Sequence, residues 1–179
     1  MCATLRGLSP TILEMGLKGR IEEVQAGGEI WVRRLGPMDS MVLARLAREN
    51  GRFGHAADRP PLEPLNPPDA RTFLADERTM CLVAFDGHDP VGFLYACELY
   101  RRHTLLSHLC LYEIGVAEDH RDMGIGDKLM TALGEQARKR GIHHGFVVTN
   151  ASNREAMALY TGFGGVRGHD DDVVFVLQF

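Results

Sequence analysis

The chain has 179 residues, 45% hydrophobic and 25% charged, enough for one domain with a substantial core and unlike the composition of a disordered segment. Twenty Lys and Arg against twenty-four Asp and Glu give a net charge of -4 with no long basic run. A nucleic-acid-binding face is therefore not indicated, whereas a mildly acidic surface is compatible with a cationic substrate.

Residues 1–28 read as an N-terminal extension, with Ile12, Leu13, Leu17, Ile21 and Val24 at the near-helical spacing of one amphipathic helix. Residues 29–179 read as the domain proper. Glu29 to Leu35 is a first strand, and Pro37 and Asp39 open a helix with an apolar stripe of Met41, Val42, Leu46 and Ala47. The proline-rich stretch from Gly54 to Pro68 is a loop, either an ordinary surface connection or a substrate-lining element. A short helix follows over Asp69 to Ala75. Met80 to Phe85 and Pro90 to Cys97 flank the hairpin turn Asp86-Gly87-His88-Asp89, and a polar turn leads to a central strand from about Leu106 to Val116. Leu129, Met130, Leu133 and Ala137 line a helix ending at Lys139-Arg140-Gly141. Phe146 to Val148 is a strand, Asn153 to Tyr160 a short helix, and Val173 to Leu177 a final strand that closes the sheet. The expected fold class is α/β (α+β), a mixed, mostly antiparallel sheet flanked by helices.

Cys2, Cys81, Cys97 and Cys110 include no C-x-x-C pair and suit free thiols of a reducing compartment. No apolar stretch has membrane-spanning length, and charges at Arg6, Glu14, Lys18 and Arg20 interrupt any signal-peptide core. A cytoplasmic protein without a membrane partner is the expectation. Eight histidines form no set at metal-ligand spacing, so no metal is expected, and surface or capping roles suit His120, His143 and His144.

Chemistry concentrates after the central strand. In Tyr112-Glu113-Ile114-Gly115-Val116, Glu113 is the one carboxylate within an apolar run, and strict alternation puts it on the face of Leu109, Leu111 and Gly115. It is either a general base or a structural carboxylate bonded to Arg101 or Arg102. Next comes Arg121-Asp122-Met123-Gly124-Ile125-Gly126, a cation and two glycines at a helix start. Backbone N–H groups without partners suit phosphate oxygens there, and glycine lets a ligand approach; equally, the glycines suit a tight strand-to-helix connection. Asn153-x-x-Ala156-x-x-Leu159-Tyr160 lies one strand and one loop further on, with Tyr160 either a packing residue or a proton donor.

Arg121-x-x-Gly124-x-Gly126 after such a strand resembles the acyl-coenzyme-A-binding motif of the GNAT acetyltransferases, and Asn153 to Tyr160 resembles their second coenzyme-A motif. Within that superfamily, Val32 to Gly36, Ala84-Phe85-Asp86, Tyr112 to Val116 with Glu118 to Arg121, and Ala158 to Thr161 are similar to the type I aminoglycoside 3-N-acetyltransferases. The resemblance implies a sheet splayed at its central strands and transfer of acetyl from acetyl-CoA to the 3-amino group of a 2-deoxystreptamine ring, a polyamine substrate. It implies Arg121 and the N–H groups of Met123 to Gly126 at the pyrophosphate, the Ile114 and Val116 backbone at the pantetheine, Asn153 at the cofactor, Glu113 as base and Tyr160 at the leaving sulfur. Tyr112 and the acidic run Asp170-Asp171-Asp172 are candidate substrate contacts. Relatives usually carry aspartate beside the tyrosine; Glu113 is longer by roughly one C–C bond, enough to require repositioning or a bridging water. They also end the second motif with Gly and Phe, where this chain has Gly164-Gly165. Homodimer formation is left open, as are a GNAT enzyme of another amine class and a non-catalytic acyl-CoA-binding module.

Overall fold

A computed structural model describes residues 29–54, 61–104, 106–169, 171, 174, 177 and 178. The helix expected within residues 1–28 lies outside them. Among the described residues, five strands form one sheet in chain order: β1 (Trp31–Arg34), β2 (Thr79–Asp86), β3 (Asp89–Tyr100), β4 (Ser107–Val116) and β5 (Gly145–Val147). The first three pairings are antiparallel and β4 with β5 is parallel, which gives a mixed α/β sheet. Four α-helices among the described residues flank it: α1 (Ser40–Arg48), α2 (Pro67–Ala75), α3 (Ile125–Lys139) and α4 (Arg154–Gly162).

Local chemistry accounts for the boundaries. The β2–β3 turn has two central residues, with Gly87 at φ +56 as the first, the position that a type II′ hairpin gives to glycine. Helix α2 starts at Pro67, two residues before the sequence suggests, because prolines fit a first turn and the Asn66 side chain accepts from Asp69 N at 2.9 Å. Both α3 and α4 end in Schellman turns. Gly141 and Gly164 adopt φ +68 and +88, while Ile142 N and Gly165 N reach back to Ala137 O and Tyr160 O at 2.9 and 2.8 Å.

Helix α3 covers one face of the sheet, where a Cβ on Gly92 would stand 2.8 Å from Ile125 Cγ2. Its stripe of Ile125, Leu129 and Leu133 is buried against Leu82, Leu94 and Leu111 in one core cluster. The opposite face carries Phe53 from a 3-10 turn over Asn50–Phe53 and Phe73 from α2, each ring against an aromatic of β3.

Two expectations change. Val174 and Leu177 are in no strand and are 70% exposed, while residues 173, 175 and 176 lie outside the described set. Among the described residues the sheet therefore ends at β5. The second change concerns Glu113. Between Leu111 and Glu113 the register slips: Ala96 faces Leu111 but Tyr95 faces Glu113, so Tyr112 is an extra, bulged residue. A one-residue slip exchanges faces. Glu113 thus shares its face with Gly115, Tyr95 and Cys110, and Leu109 and Leu111 lie on the other.

Candidate active site

The bulge marks where the sheet opens. Parallel pairing of β4 with β5 covers only Leu109 to Leu111, opposite Gly145 to Val147, and from there to Val116 β4 is paired on its β3 side alone among the described residues. Ala117 N donates to Val91 O at 2.9 Å, so Ala117 directs its backbone toward β3. Because backbone groups alternate sides along a strand, Val116 and Ile114 direct theirs away from β3, into the gap left by β5. These are the two residues whose backbone was expected to meet a ligand. Among the described residues the splay is thus an edge of hydrogen-bonding groups with no strand opposite it.

A groove of about 1100 Å³ occupies the gap. It brings together Tyr112, Glu113, Ile114 and Val116 from β4, Arg121, Asp122, Gly124, Ile125 and Gly126 from the following turn and helix, and Asn153 and Tyr160 from α4. Met123 is half exposed and does not line it. Nor does Asp171, which sits in an exposed turn; Asp170 and Asp172 lie outside the described residues. The acidic run is therefore not joined to the groove by anything described.

The turn before α3 contains two left-handed residues, Asp122 at φ +60 and Gly124 at φ +70. Gly124 is the N-cap of α3, and no side chain caps that end. The first N–H groups of a 15-residue helix thus face the groove with the positive end of its dipole. The two glycines have different reasons. Gly124 has open space at its Cβ position and is needed for its φ, whereas a Cβ on Gly126 would stand 3.3 Å from Leu159 Cδ1 of α4. Gly126 lines the groove and also lets α4 pack closely on α3.

Arg121 Nη2 donates to Gly54 O at 3.0 Å, tying the turn to the start of the proline-rich loop, of which residues 55–60 lie outside the described set. A guanidinium has four further N–H donors with which to meet an anion. Asn153 Oδ1 accepts from Ala156 N at 3.1 Å and caps α4. Tyr160 packs on the core while lining the groove, and burial pushes its phenol pKa up, so its hydroxyl remains a proton donor at neutral pH. The substitution at Gly165 leaves the turn closed rather than loose: a Cβ there would lie 2.8 Å from Tyr160 O, and Phe163 packs over Gly134 of α3 instead.

Glu113 is half-buried opposite Tyr95, whose ring meets Phe73 at 5.3 Å and Tyr112 at 5.6 Å between centroids. Burial pushes the nearby Cys81 thiol up to about 12, with the Glu113 charge adding to the effect. An ion pair with Arg101 or Arg102 does not fit the register. Those residues follow Tyr100, which faces Ser107, about 20 Å along the strand from Glu113 at roughly 3.3 Å per residue.

His120 was read from sequence as a surface or capping residue, yet its side chain is 17% exposed and lines the groove. Its Nδ1 lies 2.9 Å from Asp119 Oδ1, and Arg52 reaches Asp119 at 3.4 Å and Asp89 at 2.9 Å. Its place beside Arg121 was the available signal.

A sequence model of the acetyltransferase (GNAT) family matches residues 48–164. The chain belongs to the GNAT acetyltransferase family. Similar solved structures include an aminoglycoside acetyltransferase from an uncultured soil metagenomic sample, at 26% identity, covering 83% of this chain and 99% of that one with a TM-score of 0.68. A second aminoglycoside acetyltransferase from such a sample, in complex with trehalose, has 18% identity, 83% and 97% coverage and a TM-score of 0.67. The ribosomal-protein-alanine N-acetyltransferase of Brucella melitensis biovar Abortus 2308 has 22% identity, 84% and 99% coverage and a TM-score of 0.61. A comparison with curated protein sequences finds no match. Among the described residues of this GNAT acetyltransferase, no helix is long and apolar enough to cross a membrane, and no group of three or more His, Cys, Asp and Glu could hold a metal ion.

Proposed function

We propose that this protein transfers the acetyl group of acetyl-CoA to an amine of an aminoglycoside, the 3-amino group of the 2-deoxystreptamine ring, by direct attack. The observation that carries the reading is that a single groove collects a half-buried carboxylate, a protonated tyrosine, an uncapped helix N-terminus and an unpaired strand edge. Those are the parts direct acyl transfer to an amine needs.

The chain's own residues suit the cofactor. Arg121 and the N–H groups at the start of α3 hold the pyrophosphate, and the outward backbone of Ile114 and Val116 pairs with the pantetheine amides. The Asn153 amide contributes through its nitrogen, since its oxygen caps α4. Bound acetyl-CoA supplies an acetyl group already activated as a thioester. Glu113 would take one proton of the acceptor ammonium, the freed amine would form the C–N bond as the thioester C–S bond breaks, and the amine's second proton would end on the departing thiolate, to which Tyr160 Oη donates a hydrogen bond.

The aminoglycoside assignment is supported by the likeness of Tyr112 to Val116 and Glu118 to Arg121 to the type I 3-N-acetyltransferases, and by the 26%-identical neighbour that acts on this class. It is tested by measuring coenzyme A release with gentamicin, kanamycin, spermidine and a peptide N-terminus, wild type against Glu113→Gln. Selective turnover of gentamicin, lost in the variant while coenzyme A still binds, supports the reading. Turnover of only spermidine or the peptide removes the substrate claim and keeps the cofactor site. Coenzyme A binding without transfer to any amine favours a binding module.

A further inference from the structure

We propose that Cys97 and Cys110 are a cross-strand dithiol that a low-molecular-weight disulfide oxidises to a protein disulfide, altering the acceptor side of the site. The two residues stand directly opposite each other on β3 and β4. Glu98 N donates to Arg78 O on the β2 side, so its neighbour Cys97 directs its backbone to β4 and forms a hydrogen-bonded pair with Cys110. Such pairs hold Cα atoms about 5.5 Å apart, within the disulfide range, while their Cβ atoms, also about 5.5 Å apart, must close by about 1 Å for the bridge to form. Opposed residues share a face. Both cysteines are free and partly exposed, whereas Cys81 is buried and its thiol is pushed up to about 12.

The pair adjoins the functional face. Going along the two strands, Cys97 and Cys110 are followed by the Tyr112 bulge and then by Tyr95 opposite Glu113. Cys97 Sγ donates to Tyr95 Oη at 2.8 Å, and the Tyr95 ring touches that of Tyr112. Oxidation would remove that donor and pull Cys97 toward β4.

The step balances as ordinary exchange. One cysteine thiolate attacks a sulfur of the small disulfide and expels a thiolate, leaving a mixed disulfide. The second cysteine thiolate attacks the protein sulfur and expels the other small thiol. One protein S–S bond forms, one small S–S bond breaks, and both cysteine protons end on the released thiols. Burial, and secondarily Cys97, push the Cys110 thiol pKa up, so the rate rises with pH on the alkaline side.

The test incubates the full chain with oxidised glutathione, blocks remaining thiols by alkylation and maps tryptic peptides, which separate the two cysteines by cleavage at Arg101 and Arg102. The expected product is the peptide of residues 79–101 joined to that of residues 103–121, with the alkyl group on Cys81 and the link on Cys97 located by fragmentation, and it is cleaved by dithiothreitol. Separate glutathione adducts on the two cysteines, a Cys81–Cys97 link, or no reaction would each overturn the proposal. The kinetic consequence rests on the acetyltransferase reading. Oxidised enzyme should show a several-fold fall in kcat for the acceptor with coenzyme A affinity unchanged by calorimetry. Cys110→Ser, or Cys110→Ala if the first does not fold, should be active and insensitive to glutathione disulfide. An oxidised, cross-linked enzyme with unaltered acceptor kinetics overturns the functional half. If no amine is acetylated at all, peptide mapping still decides the disulfide, so failure of the activity and failure of the dithiol are separable.

Discussion

Gly115→Ala tests the packing that holds β4 beside the groove. A Cβ at Gly115 would lie 2.8 Å from Phe53 O, 2.9 Å from Phe93 Cε1 and 3.0 Å from Phe53 Cβ. Ordinary contact begins at 3.4 Å, so each neighbour must yield by roughly half an ångström. The Phe93 ring could turn, but Phe53 meets the new methyl with its backbone and Cβ, which no rotamer change moves. Phe53 is also 5% exposed and edge-on to Phe93 at 5.5 Å. Overpacking of this kind costs about 1–3 kcal/mol, offset by about 0.4–1 kcal/mol because alanine restricts the unfolded chain. A net loss of about 1–2 kcal/mol lowers Tm by about 2–8 °C at this chain length. Thermal unfolding followed by circular dichroism reads the shift, with Gly162→Ala as the control. That glycine ends α4 with nothing within 4 Å of its Cβ position, and its replacement should stabilise by about 0.5–1 kcal/mol. If Gly115→Ala melts at or above wild type while Gly162→Ala gains stability, the steric argument is wrong.

Glu113→Gln should lower kcat by about 10²- to 10⁴-fold, the usual contribution of a general base, with coenzyme A affinity retained; full activity would remove Glu113 from the chemistry. Gly124→Ala places a side chain at φ +70 and should cost about 1–2 kcal/mol in a melting experiment while weakening coenzyme A binding through the displaced turn; unchanged binding would dissociate the turn from the cofactor. Asn153→Ala should lose about 1 kcal/mol with the α4 cap, and a variant as stable as wild type would show that the Asn153–Ala156 bond is not formed in solution. The Arg33 guanidinium, hydrogen-bonded to Asp39 at 2.7 and 2.8 Å, holds that carboxyl below its usual range. The stability it contributes is complete above the unfolded value of about 3.9 and is lost as pH falls through the lower folded value. Asp39→Asn should therefore be less stable than wild type at neutral pH and converge on it as pH falls below about 4; a gap that persists to the acid limit would rule out this linkage.

Much of the site was legible because local signals fix local structure. The hairpin at Gly87, the glycine end of α3 at Gly141, and the strand–turn–helix around Arg121 follow from backbone requirements that neighbouring residues meet by themselves. The motifs at Arg121 to Gly126 and Asn153 to Tyr160 are spelled in short runs, and the structure places both on one groove.

The tertiary structure decided what depends on partners distant in the chain. Alternation could not foresee that Tyr112 is bulged, since a register slip is set by which residue of β3 stands opposite, and that slip moved Glu113 to the Tyr95 face. The packing contact at Gly126 comes from Leu159, thirty-three positions away, and His120 stands 3.6 Å from Asp86 Oδ2, thirty-four positions before it. Residue type and spacing determined which groups could do chemistry. Which of them share a face, an edge or a cavity was decided only when strands paired and helices packed, because those contacts are made between segments whose sequences carry no mark of each other.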